Sequence, residues 1–81
     1  MTLAELLKTI RQKALLSQES FSKVLNVSVA TINRWENGRA TPNITTMSNL
    51  KSFCMERDIP FNELESLWLQ SKRRGSNGTD L

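Results

Sequence analysis

Apolar residues recur along the chain at three- and four-residue spacing between short polar stretches, the period of amphipathic helices. Leu3, Leu6, Leu7, Ile10 and Ala14 form the first stripe. Thr2, with Glu5 three residues on, makes a capping box ahead of it, so the first helix is expected to reach Lys13 or Ala14. Ser17 can cap a second helix, with Gln18 and Glu19 in its first turn, where a carboxylate favours the positive end of the dipole. Phe21, Val24 and Leu25 then share a face. The pattern stops at Asn26, one of the few non-glycine residues that tolerates left-handed backbone angles. Ser28 caps a third helix with Val29, Ile32 and Trp35 on its apolar side, and Asn37-Gly38 suits a left-handed end.

Residues Gly38 to Pro42 read as a loop carrying Arg39. A fourth helix starts near Asn43 to Thr45, with Ile44, Met47, Leu50, Phe53 and Cys54 at helical spacing, and ends before Pro60, since proline disfavours helical angles in the residue ahead of it. Asn62 and Glu65 read as a second capping box, opening a fifth helix with Leu64, Leu67 and Trp68 on its apolar side and Phe61 stapling its entry. Leu69 lies off that stripe, so the apolar arc is wider than one core contact demands. From Lys72 the sequence KRRGSNGTDL has no period, which predicts a mobile basic tail over 72–81 behind a domain over 1–71. No strand pattern with hairpin turns and no internal repeat interrupts this. The expected fold is all-α with five helices, in a chain whose 81 residues make one small domain that buries only about 60% of its unfolded surface.

On the third helix, a rotation of ~100° per residue places Ala30, Asn33, Arg34 and Asn37 opposite Ile32 and Trp35. A small residue, two carboxamides and a guanidinium can read base edges, and they equally make an ordinary solvated face. Charge tilts the picture. Between Lys8 and Arg39, six basic residues (Lys8, Arg11, Lys13, Lys23, Arg34 and Arg39) stand against Glu19 and Glu36, whereas Ala40 to Ser71 carries more acid than base. Such asymmetry suits a polyanion on one side. No apolar run approaches the roughly twenty residues of a membrane span, and no stretch resembles a signal peptide, so the cytoplasm is the expected location. One cysteine and no histidine exclude intrachain disulfides, Cys/His zinc sites and histidine-based catalysis. Cys54 is in phase with its helix's apolar stripe and reads as core. No catalytic constellation stands out and no cofactor is implied.

The segment LSQESFSKVLNVSVATINRWENGRATP resembles the helix-turn-helix of phage repressors and Cro, the Xre-like family, over roughly Leu6 to Leu50. A Ser-Gln-Glu start, a Val-Ser turn end and a Trp-Glu-Asn-Gly helix end occur in the family's order. Asn26 stands where the family usually has glycine and Ser22 where it usually has alanine. The resemblance implies a lambda-repressor-like fold with the helix-turn-helix at the second and third helices, and a transcriptional regulator with its recognition helix over 28–37 in the major groove of double-stranded DNA. It places Val29, Ala30, Asn33 and Arg34 on the base side and Gln18, Ser28, Asn37 and Arg39 on the phosphate side. It also implies a salt bridge between Arg11 and Glu36, both of which border apolar stripes, where charges should be paired.

The wide arc of Phe61, Leu64, Leu67, Trp68 and Leu69 is the candidate surface for a homodimer, and for Trp68 core packing is the other reading. Trp35 shares a side with Ile32 and belongs to the core. A sister reading is an antitoxin-type regulator with a toxin partner. A reading of another class is a protein-interaction module that kept the fold without DNA binding, a role that apolar Val29 and Ala30 would suit.

Overall fold

The computed structural model describes residues 1–75, which form α1 (Leu3–Lys13), α2 (Gln18–Leu25), α3 (Val29–Glu36), α4 (Ile44–Glu56) and α5 (Asn62–Gly75). No strand occurs among the described residues, and no helix is long and apolar enough to cross a membrane. Four starts carry a side-chain oxygen cap, and three of them, at Thr2, Ser17 and Ser28, are those read from the sequence. The Thr2 hydroxyl accepts from the Glu5 amide while Glu5 accepts from the Thr2 amide, and Ser17, Ser28 and Asn43 accept from the amides of Ser20, Thr31 and Thr46. Those bonds satisfy amides that a helix start leaves without partners.

The ends of α1 to α4 share one device, in which a left-handed residue turns the chain back on the last turn. Leu15 (φ 61°), Asn26 (58°), Gly38 (74°) and Asp58 (60°) take that position. In each case the next amide reaches a carbonyl five residues back: Leu16 to Arg11, Val27 to Ser22, Arg39 to Arg34 and Ile59 to Cys54, at 2.8–3.2 Å. Asn26 thus takes the left-handed position that a glycine most readily occupies. Leu15 carries a side chain that is disfavoured there and is 90% exposed.

Leu7, Ile10, Phe21, Leu25, Ile32, Trp35, Met47, Leu50, Phe53, Cys54, Leu64 and Trp68 make the core. The Phe21 and Phe53 rings meet at a 5.4 Å centroid distance, tilted by 59°. The Trp68 indole nitrogen donates to the Pro42 carbonyl at 2.6 Å, fastening α5 to the segment between α3 and α4. Burial raises the Cys54 thiol above its ordinary pKa, as expected of a core cysteine.

Several expectations from the apolar pattern need correction. Val24 is exposed, and Ser22 takes the inward position on α2 instead, where its hydroxyl donates to the Glu19 carbonyl at 2.6 Å. Val29, in the first turn of α3, lies on the flank of the buried face and is exposed too. Ile44 is 72% exposed, since repeated steps of three residues drift by about 60° each and the buried face of α4 centres on Leu50. Thr46 is buried there instead. The Glu65 amide bonds the Phe61 carbonyl, so Asn62 is already the first residue of α5 and does not form the expected capping box. The helix then runs through Lys72 to Gly75, past the expected boundary at Ser71, with the Lys72 ammonium 5.4 Å from the centre of the Trp68 ring. The remainder of the expected tail, 76–81, lies outside the described residues.

The homodimer arc is also changed. Leu64 and Trp68 are buried in the core of their own chain, Phe61 and Leu67 are half-buried, and Leu69 is exposed.

Candidate nucleic-acid interface

Helix α3 packs chiefly on α2 and then on α1, through Ile32 and Trp35. Burying those two side chains turns Val29, Ala30, Asn33, Arg34 and Asn37 outward, and all five are exposed. The four base-side candidates therefore share one surface. Arg34 and Arg39 have no acidic partner among the described residues, which leaves both guanidiniums available to an external anion. Arg39 follows the left-handed Gly38 and sits outside the helix, while Ala30 adds little bulk to the face.

A polar network beneath this face fixes its position. Arg11 Nε donates to Glu36 Oε2 at 2.7 Å and its second terminal nitrogen to Oε1 at 3.0 Å, a two-pronged bond of the strong, directional kind. The two side chains are 13% and 5% exposed. A further Arg11 nitrogen donates to the Leu16 carbonyl at 2.9 Å, and Gln18 Nε2 donates to Glu36 Oε1 at 3.0 Å. One carboxylate at the end of α3 thus gathers the end of α1 and the start of α2. Burial pushes the Glu36 carboxyl up, but the hydrogen bonds from Arg11 and Gln18 and the charges of Arg11 and Lys8 outweigh it and hold its pKa below the usual carboxylate value. The same bond to Glu36 raises the Arg11 guanidinium.

The phosphate-side candidates are less uniform. Gln18 stands at the start of α2, where helix amides favour an anion, but its side-chain amide already contacts Glu36. Ser28 Oγ accepts from the Thr31 amide at 3.1 Å and lies 2.9 Å from the Thr31 hydroxyl, so capping occupies it. The Asn37 amide nitrogen is held by Asn33, at 2.9 Å from its main-chain oxygen and 3.1 Å from its Oδ1. Sequence reasoning missed both the Gln18–Glu36 and the Asn33–Asn37 bonds. The second had a signal, because residues four apart on a helix are neighbours. The first joins residues 18 apart in sequence and had none.

Comparison with protein families finds the helix-turn-helix model matching residues 7–53, more than half of the chain. That span includes α2, α3 and the network from Arg11 to Glu36. No curated protein and no solved structure matched. With its two short helices, the tight Asn26 turn between them and the exposed face of the second, the chain belongs to the helix-turn-helix family of Xre/Cro-like DNA-binding regulators.

Proposed function

We propose that the protein is a sequence-specific transcriptional regulator of duplex DNA, working in the cytoplasm by occupying its site with α3 in the major groove. The observation that carries this reading is the exposed row Val29, Ala30, Asn33 and Arg34 on a helix tied at its far end by the Arg11–Gln18–Glu36 network. Apolar Val29 and Ala30 suit contact with thymine methyl groups, and specificity then rests on Asn33 and Arg34. Arg39, beyond the helix, reaches backbone phosphate more easily than a base edge. The amides at the start of α2, beside Gln18, and of α3, beside Ser28, offer further phosphate contacts.

Selection of bound sequences from a random duplex pool, with affinity measured at two salt concentrations, tests this. Arg34→Ala should flatten the preference at one base pair of each half-site, a discrimination of roughly 1–3 kcal/mol. Arg39→Ala should weaken all sequences alike and reduce the salt slope by about one unit. An unchanged selected sequence in Arg34→Ala would make that residue a phosphate contact instead.

A homodimer completes the reading. Exposed Leu69 and half-buried Phe61 and Leu67 supply the apolar surface, and two-fold symmetry would set the recognition helices about 34 Å apart on a palindromic site. Sedimentation showing a monomer at high micromolar concentration, unchanged by Leu69→Glu, would remove the dimer and leave the DNA reading standing.

A further inference from the structure

We propose that Asn37 sets the orientation of the Asn33 carboxamide, so that α3 carries a pre-arranged adenine reader at Asn33; the inference rests on the DNA-binding reading above. The polarity of the pair follows from one fixed point. Asn33's main-chain oxygen can only accept, so the Asn37 side-chain atom 2.9 Å from it is the amide nitrogen. That same nitrogen lies 3.1 Å from Asn33's side chain and needs an acceptor there too, so the atom it meets is Oδ1. Turning the Asn33 amide over would set two N–H donors against each other. Asn37 therefore disfavours the flip that a lone surface asparagine makes freely.

The remaining capacity of Asn33 decides what it reads. Its Oδ1 has two lone pairs, and Asn37, seated between that oxygen and the main chain, takes one of them. The other lone pair stays available, beside an Nδ2 group that meets no acceptor among the described residues. One acceptor next to one donor on a rigid plane matches the N6 donor and N7 acceptor of adenine. Guanine offers two acceptors, thymine an acceptor and a methyl group, and cytosine a single donor. With the polarity fixed, the pair also distinguishes A·T from T·A. The Asn37 amide nitrogen is engaged by two oxygens of Asn33. Asn37 acts on DNA through Asn33 and is a positioning residue.

The experiment is selection from a random duplex pool for the wild type, Asn33→Ala and Asn37→Ala, with salt slopes, and side-chain amide relaxation of Asn33 by NMR without DNA. The wild type should show one position per half-site where adenine is preferred by about five- to hundred-fold. Asn33→Ala should abolish that preference. Asn37→Ala should reduce it by about threefold or more, as Asn33 regains rotamer freedom, with the salt slope unchanged and the Asn33 amide more mobile. Melting curves check that both variants fold. Asn37→Ala that leaves the adenine position intact, or that weakens all sequences alike with a salt slope lower by about one unit, overturns the positioning role. An Asn33 amide equally ordered in both proteins overturns it without reference to DNA. A wild type that selects a sequence with no position depending on Asn33 sinks this inference alone, and one that selects no sequence sinks the DNA reading with it.

Discussion

Around α3, a charged pair with side chains 13% and 5% exposed lies beside the apolar core, whereas α5 is held by the packing of Leu64 and Trp68 and by one indole hydrogen bond. The two arrangements answer different demands. Apolar contacts are tolerant of direction, so α5 can settle wherever its side chains fill space. A two-pronged guanidinium–carboxylate bond is intolerant of direction, and it fixes the end of α3 to about hydrogen-bond precision. The element proposed to enter the major groove is the one tied down by the directional bond. Replacing such a pair with hydrophobic residues often costs little stability, whereas removing one partner alone leaves a charge without its counter-ion.

Breaking the network on one side should give the largest effect. Glu36→Ala leaves a nearly buried guanidinium without its partner and should cost on the order of 3 kcal/mol or more in urea unfolding. The double variant Arg11→Met/Glu36→Leu should recover much of that loss, and a cycle without coupling would mean that the pair does not act as a unit. The same carboxylate predicts an acid response. Because the fold lowers its pKa, the stability it contributes is complete above the ordinary value of 4.5 and is lost as the pH falls through the folded value. The wild type should therefore lose stability more steeply than the double variant below pH 4.5. Glu5, whose pKa is lowered by its bonds with Thr2, is present in both and cancels.

On the α5 side, Trp68→Phe keeps most of the apolar volume and deletes the bond to Pro42, whose residue is buried. A loss of about 1–2 kcal/mol is expected, smaller than at Glu36. An equal or larger loss would show α5 to be the more directional attachment and reverse the comparison. The next change should be a gain, and the last close to none. Leu15→Gly relieves a left-handed leucine whose side chain is 90% exposed and should stabilise the protein by about 0.5–1 kcal/mol, while Asn26→Gly should change stability by a few tenths at most.

Where local chemistry decides, the chain was readable. The oxygens of Thr2, Ser17 and Ser28 start three helices, and Asn26 and Gly38 end two, because each effect acts within a few residues. The outward face of α3 was legible for the same reason, since helix rotation alone separates Asn33 and Arg34 from Ile32 and Trp35. Leu15 was not readable as a helix end, for leucine carries no left-handed preference and its conformation comes from the turn's hydrogen bonds. Ile44 and Val24 were misassigned because an apolar side chain near the edge of a stripe is buried only if a neighbouring helix reaches it. The Gln18 contact with Glu36 required knowing how α2 and α3 meet, which no spacing encodes. The Arg11–Glu36 pair joins residues 25 apart, and it was anticipated only through the family resemblance.

The Trp68 indole bond offers a clock for the whole assembly. Its proton is buried against the Pro42 carbonyl, and α5 lies beyond the family-matched segment 7–53. Exchange of that proton with deuterium requires α5 to lift from the α3–α4 segment, while exchange of main-chain amides within α2 and α3 requires the helix pair itself to open. If the indole proton exchanges faster than those amides, α5 opens as a separate unit, and the helix-turn-helix persists while its fifth helix is away.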